Sequence, residues 1–264
     1  MLLLLFLLAT SFLLPPGAQT MIIGGQDAEP HSRPYMAFLE IRGEENIRCG
    51  GFLLRDNVVL TAAHCNEGQI TVVLGAHDIT QTEKTQQRVA VRRKVPHPDF
   101  KRVPLGKGIE LPINDLMLLQ LKRPVTRKHS VRPIPLPSLG PTVKPGSMCS
   151  AAGWGSVSRH PEDLADTLQE VDLKVISVKS CSRKLDMSLE DFTEEILCAG
   201  DRGRAATFRG DSGGPLVCNG TVQGIVSCGR PNGSPPRIFT RITKFLPWIK
   251  KTLRNALRQG SISN

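Results

Sequence analysis

Phe208-Arg209-Gly210-Asp211-Ser212-Gly213-Gly214-Pro215-Leu216-Val217-Cys218 is the stretch on which the reading of this chain turns. Glycines on both sides of Ser212 let the backbone approach another chain closely and take conformations that a Cβ forbids. A nucleophile needs that setting if backbone N–H groups are to bind the oxyanion its attack creates. A serine hydroxyl is a weak nucleophile at neutral pH, so a base must be supplied from elsewhere in the chain.

Thr61-Ala62-Ala63-His64-Cys65 follows Val58-Val59-Leu60, an apolar run that reads as a strand ending at a histidine. The other histidines, His31, His77, His97, His129 and His160, sit in no comparable motif. Asn114-Asp115 precedes the apolar run Leu116-Met117-Leu118-Leu119 and places a carboxylate where a strand begins. The order His, Asp, Ser along the chain differs from the orders of subtilisins and α/β-hydrolases. Together these segments resemble the motifs of the chymotrypsin-like serine proteases of the trypsin family.

That resemblance implies a division of labour. His64 takes the Ser212 proton and returns it to the leaving amine, and Asp115 fixes the imidazole tautomer. The N–H groups of Gly210 and Ser212 form the oxyanion hole. Ile22-Ile23-Gly24-Gly25 resembles the family's activation start. By that likeness, cleavage before Ile22 frees an ammonium that folds inward to pair with Asp211. The physical reason is that a buried carboxylate without a partner is costly.

Residues 1–14 are almost continuously apolar, and Pro15-Pro16-Gly17-Ala18 breaks the run. Such a segment is too short to span a bilayer comfortably and reads as a signal peptide over 1–20, with 21 or 19–21 as an activation propeptide. No later stretch is long or uncharged enough to cross a membrane, so the mature chain is expected to be secreted or stored in a secretory granule, as a monomer. Short β-branched runs recur between turn residues: Ile70–Leu74, Val89–Val91, Leu116–Leu121, Val171–Val175, Val222–Val226 and Ile238–Ile242. That spacing predicts an all-β protein of antiparallel sandwiches or barrels. Helical periodicity shows only at the end, from Phe245 to Leu257, and 259–264 reads as a loose tail. The resemblance implies two six-stranded antiparallel β-barrels and a C-terminal α-helix, the first barrel within 22–132 and the second within 133–264.

Seven cysteines in a secreted chain imply disulfides with one cysteine left over, and spacing alone leaves the connectivity open. By resemblance the pairs are Cys49–Cys65, Cys149–Cys218 and Cys181–Cys198. The family's common pair beside the specificity pocket is absent, because Phe208 occupies one of its positions. Its loss resembles the granzyme, chymase and cathepsin G branch. Pro30-His31-Ser32-Arg33-Pro34-Tyr35-Met36-Ala37 and Ala152-Gly153-Trp154-Gly155 match that branch as well.

In this family three segments build the pocket for the residue before the scissile bond. Here they are Ala206-Thr207-Phe208, Ser227-Cys228-Gly229 and Pro235-Pro236-Arg237-Ile238-Phe239. Ala206 falls where trypsin-like enzymes carry an aspartate, which argues against cleavage after Lys or Arg. Arg237 aligns with the pocket arginine of granzyme B-like members. A guanidinium in a pocket lacking its own carboxylate calls for one from the substrate. The expected preference is therefore for Asp, with Glu second. The alternatives are a chymase-like or cathepsin G-like preference for apolar residues, or a cationic antimicrobial or glycosaminoglycan-binding protein that no longer cleaves.

Two departures from the branch stand out. Cys228 replaces an aromatic that lines the pocket wall. The segment from His97 to Asp115 is longer than in related granzymes, and its extra residues around 103–112 are expected to overhang the sites upstream of the cleaved residue. The net charge of +10 suits sulfated glycosaminoglycan or proteoglycan. Low aromatic content and the lack of a recognisable module make nucleic acid a poor candidate. Protein or peptide substrates and serpin-type inhibitors are the other expected partners. No metal or other cofactor is expected. Asn219-Gly220-Thr221 and Asn232-Gly233-Ser234 are candidate glycosylation sequons.

Overall fold

The computed structural model describes residues 24–106, 109–138, 143–158, 160, 162–200 and 206–260. The expected signal segment and Ile22 with its pairing to Asp211 lie outside the described residues.

A two-residue strand, β1 (Gln26–Asp27), precedes the first barrel. That barrel consists of β2 (Met36–Arg42), β3 (Asn46–Arg55), β4 (Val58–Thr61), β5 (Gln69–Leu74), β6 (Gln87–Pro96) and, after the hairpin β7 (Lys101–Gly106) and β8 (Ile109–Ile113), β9 (Met117–Leu121). It closes in the order β2-β3-β4-β9-β6-β5. The second barrel uses β10 (Met148–Gly153), β11 (Gln169–Ile176), β12 (Ile196–Ala199), β13 (Pro215–Cys218), β14 (Thr221–Gly229) and β15 (Arg237–Arg241). Its order is β11-β10-β13-β14-β15-β12, closed by a β11–β12 pairing. β1 adds to this second sheet along β11. The expected pair of six-stranded antiparallel barrels is thus what the chain forms.

Alternation explains why these segments are strands. In β11, Val171, Leu173 and Val175 are buried while Asp172 and Lys174 are exposed, the period-two pattern of a sheet with one face on a core. The disulfides Cys49–Cys65, Cys149–Cys218 and Cys181–Cys198 are all formed, which leaves Cys228 free.

Helix content departs from the sequence reading in two places. α1 (Val178–Leu185) was not expected. It is one short helix whose buried residues are Cys181 and Ser182, so no aliphatic stripe betrays it. Local chemistry holds it instead: Ser177 Oγ accepts from the Ser180 N–H, and Asp186 ends it in the left-handed region at φ 57°. α2 (Ile242–Gly260) begins a turn earlier than the sequence suggests and takes in Gln259, at the start of the expected loose tail. Its Ile242, Phe245, Leu246, Ile249 and Leu253 form one buried stripe at helical spacing. That stripe packs into the core of the first barrel together with Val217, Val222 and Ile225 of the second, so α2 ties the two halves.

The segment between His97 and Asp115 contains the β7–β8 hairpin, with Val103 opposite Leu111. Leu111 is 2% exposed and packs against Ile176, Cys181, Ile196, Cys198 and Ile238 of the second barrel. A hairpin that connects strands of the first barrel therefore docks on the second. Leu111→Ala is expected to cost about 2–4 kcal/mol, because the hairpin cannot collapse fully into the void. Urea denaturation of the variant and the parent chain measures it.

Candidate active site

The glycine-rich turn is anchored to both barrels. The Gly213 N–H donates to Val226 O at 2.8 Å, and the Gly50 N–H of β3 donates to Ser212 O at 2.7 Å. Thr61 Oγ1 then donates to Gly50 O at 2.7 Å. At Gly213 the requirement for glycine is plain: φ is +83°, and a Cβ there would lie 2.1 Å from Thr61 Oγ1 and 2.5 Å from Gly50 O. The motif thus places Ser212 at the junction of the barrels.

His64 lies in a single 3-10 turn (Ala63–Cys65) just beyond β4, held by the Cys49–Cys65 bridge. Asp115 precedes β9 and is fully buried. Its Oδ1 accepts the His64 backbone N–H at 2.9 Å, and its Oδ2 meets His64 Nδ1 at 2.7 Å. Ser227 Oγ of the second barrel donates to the same Oδ2 at 2.5 Å, and Thr240 Oγ1 donates to Asp115 O at 3.0 Å. Burial alone would raise the Asp115 pKa, but the His64 charge and these hydrogen bonds outweigh it and hold the carboxyl below its usual range. No hydrogen bond joins Ser212 Oγ to the His64 ring. Among the described residues, the N–H groups of Gly210 and Ser212 donate to no backbone acceptor. The sequence marks Ser227 as part of a pocket segment and gives no sign of its hydrogen bond to Asp115.

Asp211 is fully buried. Its carboxyl accepts the Gly155 N–H at 2.9 Å and the Phe208 N–H at 2.8 Å. Burial pushes its pKa up to about 6 against those bonds and the nearby Arg237 charge.

The three pocket segments come together. Ala206 and Thr207 are fully buried, and Phe208 carries the Arg237 guanidinium at 5.8 Å from its ring centre. Arg237, at the start of β15, is 7% exposed and donates from Nη1 to Arg230 O at 3.0 Å. Burial lowers its pKa from the usual arginine range. Gly229 is its cross-strand partner, and a Cβ there would lie 2.6–2.8 Å from Nη1, Cζ and Nε of the guanidinium. The absence of a side chain at 229 gives Arg237 its place.

Cys228 lines a cavity of about 540 Å³ between the hairpin (Leu105, Leu111), the segment Leu185–Met187 and Ile238. Burial pushes its thiol up to about 12, against the lowering effect of Arg237. A raised pKa means less thiolate at neutral pH, so Cys228 is expected to alkylate at least about tenfold more slowly in the native chain than after unfolding. Iodoacetamide labelling at pH 8, read by mass spectrometry, checks this.

Asn219 and Gly220 form the exposed β13–β14 turn, both at positive φ, and Asn232 is exposed in a turn closed by Ser234. Among the described residues no cluster of His, Cys, Asp and Glu could hold a metal ion, and no helix is long and apolar enough to cross a membrane.

A family profile described as Trypsin matches residues 22–249. Duodenase-1 of Bos taurus is 49% identical over 261 residues, 98% of this chain and 99% of that protein. Granzyme B of Homo sapiens is 48% identical over 251 residues, 94% of this chain and 98% of that protein. Cathepsin G of Homo sapiens is 48% identical over 252 residues, 94% of each chain. The solved structure described as "Structure of GrC" superposes with a TM-score of 0.80 at 44% identity, covering 88% of this chain and 100% of that one.

Proposed function

Since the chain belongs to the trypsin family of chymotrypsin-like serine proteases, we propose that Ser212, His64 and Asp115 are its catalytic triad and that it cleaves peptide bonds after Asp, less readily after Glu. It is a serine endopeptidase of the granzyme and cathepsin G branch, acting on protein substrates. As Ser212 Oγ attacks the scissile carbonyl, His64 Nε2 takes its proton, while Asp115 holds Nδ1–H and stabilises the imidazolium. The developing oxyanion is bound by the N–H groups of Gly210 and Ser212. His64 then protonates the leaving amine. Water hydrolyses the acyl-enzyme with the same base.

Activation follows cleavage before Ile22, whose ammonium pairs with Asp211. The support is that carboxyl's full burial and its pKa near 6, a cost that an incoming cation relieves. The Cys228 cavity receives an apolar side chain upstream of the cleaved residue. Exposed Arg92, Lys101, Lys122, Lys128, Lys250 and Lys251 suit a sulfated glycosaminoglycan, in keeping with storage in a secretory granule before release.

The single observation that carries the acidic preference is Arg237, buried between Phe208 and Gly229 with no carboxylate of the described residues hydrogen-bonded to it. A peptide-library digest by the chain beginning at Ile22 tests it. Cuts concentrated after Asp and Glu are expected; cuts mainly after Phe, Tyr or Leu overturn the acidic preference. Failure of a fluorophosphonate probe to label Ser212 overturns the triad assignment.

A further inference from the structure

We propose that the Arg237 pocket, when no substrate side chain fills it, holds one small free oxyanion of the sulfate or phosphate class, which each acidic substrate must displace. The inference rests on the reading of this pocket as a receptor for carboxylates, and extends it to regulation of the empty site. Arg237 is 7% exposed, and its single protein hydrogen bond among the described residues runs from Nη1 to Arg230 O. Its Nε is buried with no acceptor. A second orphan lies in the neighbouring pocket segment: Thr207 Oγ1, of a fully buried residue preceding Phe208 in the chain, also has no partner. The nearby Asp211 does not fill the gap: its carboxyl accepts from the Gly155 and Phe208 N–H groups and makes no hydrogen bond to Arg237.

A buried guanidinium with an unmet donor is an expensive arrangement, and so is a buried unmet hydroxyl. A tetrahedral oxyanion answers the guanidinium's need: it presents an O–S–O or O–P–O edge to it and keeps further acceptor oxygens for neighbouring donors. The face of the guanidinium is covered by Phe208 on one side, and its atoms lie close over Gly229. The surroundings thus favour a small anion over a bulky one.

Competition is the consequence. At a sulfate concentration twice the dissociation constant of the site, KM for an Asp peptide rises about threefold at constant ionic strength, with kcat unchanged. The rate of labelling by a small fluorophosphonate, which places nothing in the pocket, stays the same. Equilibrium dialysis with radiolabelled sulfate counts one site fewer in Arg237→Gln than in the parent chain. If Arg237→Gln does not fold, Gly229→Ala, which displaces the guanidinium but keeps the charge, gives the same loss.

An equal sulfate count in parent and variants overturns the proposal, as does a fall in kcat alongside the rise in KM. Competition by a sulfated polysaccharide without competition by free sulfate overturns it too, since the bound group would then belong to a larger ligand. An Asp-preferring enzyme indifferent to sulfate refutes the anion alone. One sulfate fewer in the variants of an enzyme without acidic preference keeps the anion and refutes the acidic reading.

Discussion

Asp115→Asn is expected to lower kcat by about 10⁴-fold while the fold survives, the magnitude associated with this exchange in the family's template mechanism. The geometry gives the reason. Asp115 Oδ2 meets His64 Nδ1 at 2.7 Å and also accepts from Ser227 Oγ at 2.5 Å. An amide can keep its oxygen at the Oδ1 position for the His64 backbone N–H, while its NH₂ at the Oδ2 position donates to Ser227 Oγ, whose hydroxyl can turn to accept, so the site stays packed. Its NH₂ group then faces Nδ1 and donates to it. The proton of the neutral ring moves to Nε2, which can no longer accept from Ser212. Stability shifts with pH in a way that separates the two roles. The folded-state carboxyl lies below its unfolded value of 3.8, so its contribution to stability is complete above that pH and is lost as pH falls through the folded value. Asn removes this acid-side loss, whereas the catalytic defect is present at pH 7. Single-turnover kinetics at pH 7 and acid denaturation of the same variant measure the two effects. A loss in kcat under about tenfold would remove Asp115 from the mechanism.

The residues of the proposed triad stand out in the sequence because each sits in a motif set by local backbone demands. Gly213 has to be glycine because Thr61 and Gly50 occupy the space a Cβ would take, and that demand leaves a written trace beside Ser212. Ser227 left no such trace. Its hydroxyl matters to Asp115 only because the barrels bring β14 against the start of β9, and nothing near residue 227 announces a partner 112 positions away. The hairpin shows the same limit. Leu105 and Leu111 advertise burial, but the sequence does not say against what, and Pro104, Gly106 and Pro112 obscure the strands that carry them. α1 was invisible for a related reason. Its stability comes from a cap, a left-handed stop and a disulfide, none of which has helical periodicity.

Arg237→Gly is expected to reduce the ratio of kcat/KM for Asp over Leu substrates by about 10²-fold or more, equivalent to roughly 3 kcal/mol of discrimination. A substrate carboxylate in this pocket meets a guanidinium that burial has stripped of water and left with an unpaired Nε. An apolar side chain leaves that cation without an anion, so the preference contains both a gain for Asp and a penalty against Leu. Glycine removes both. Gly229→Ala provides the sharper comparison, because it leaves the charge in the chain. Its new Cβ meets only the far end of Arg237, at 2.6–2.8 Å, and a flexible side chain can swing aside at little cost to stability. The expected result is therefore a near-parental denaturation midpoint together with a lost Asp-to-Leu preference. Peptides identical except at the cleaved residue, assayed with the parent chain and both variants, measure the ratio. A preference that survives Arg237→Gly would place the source of acidic selectivity elsewhere. One that survives Gly229→Ala but not Arg237→Gly would show that the guanidinium acts from more than one position, through its field rather than through directed hydrogen bonds. Full loss in both variants fixes recognition to the single arrangement over Gly229.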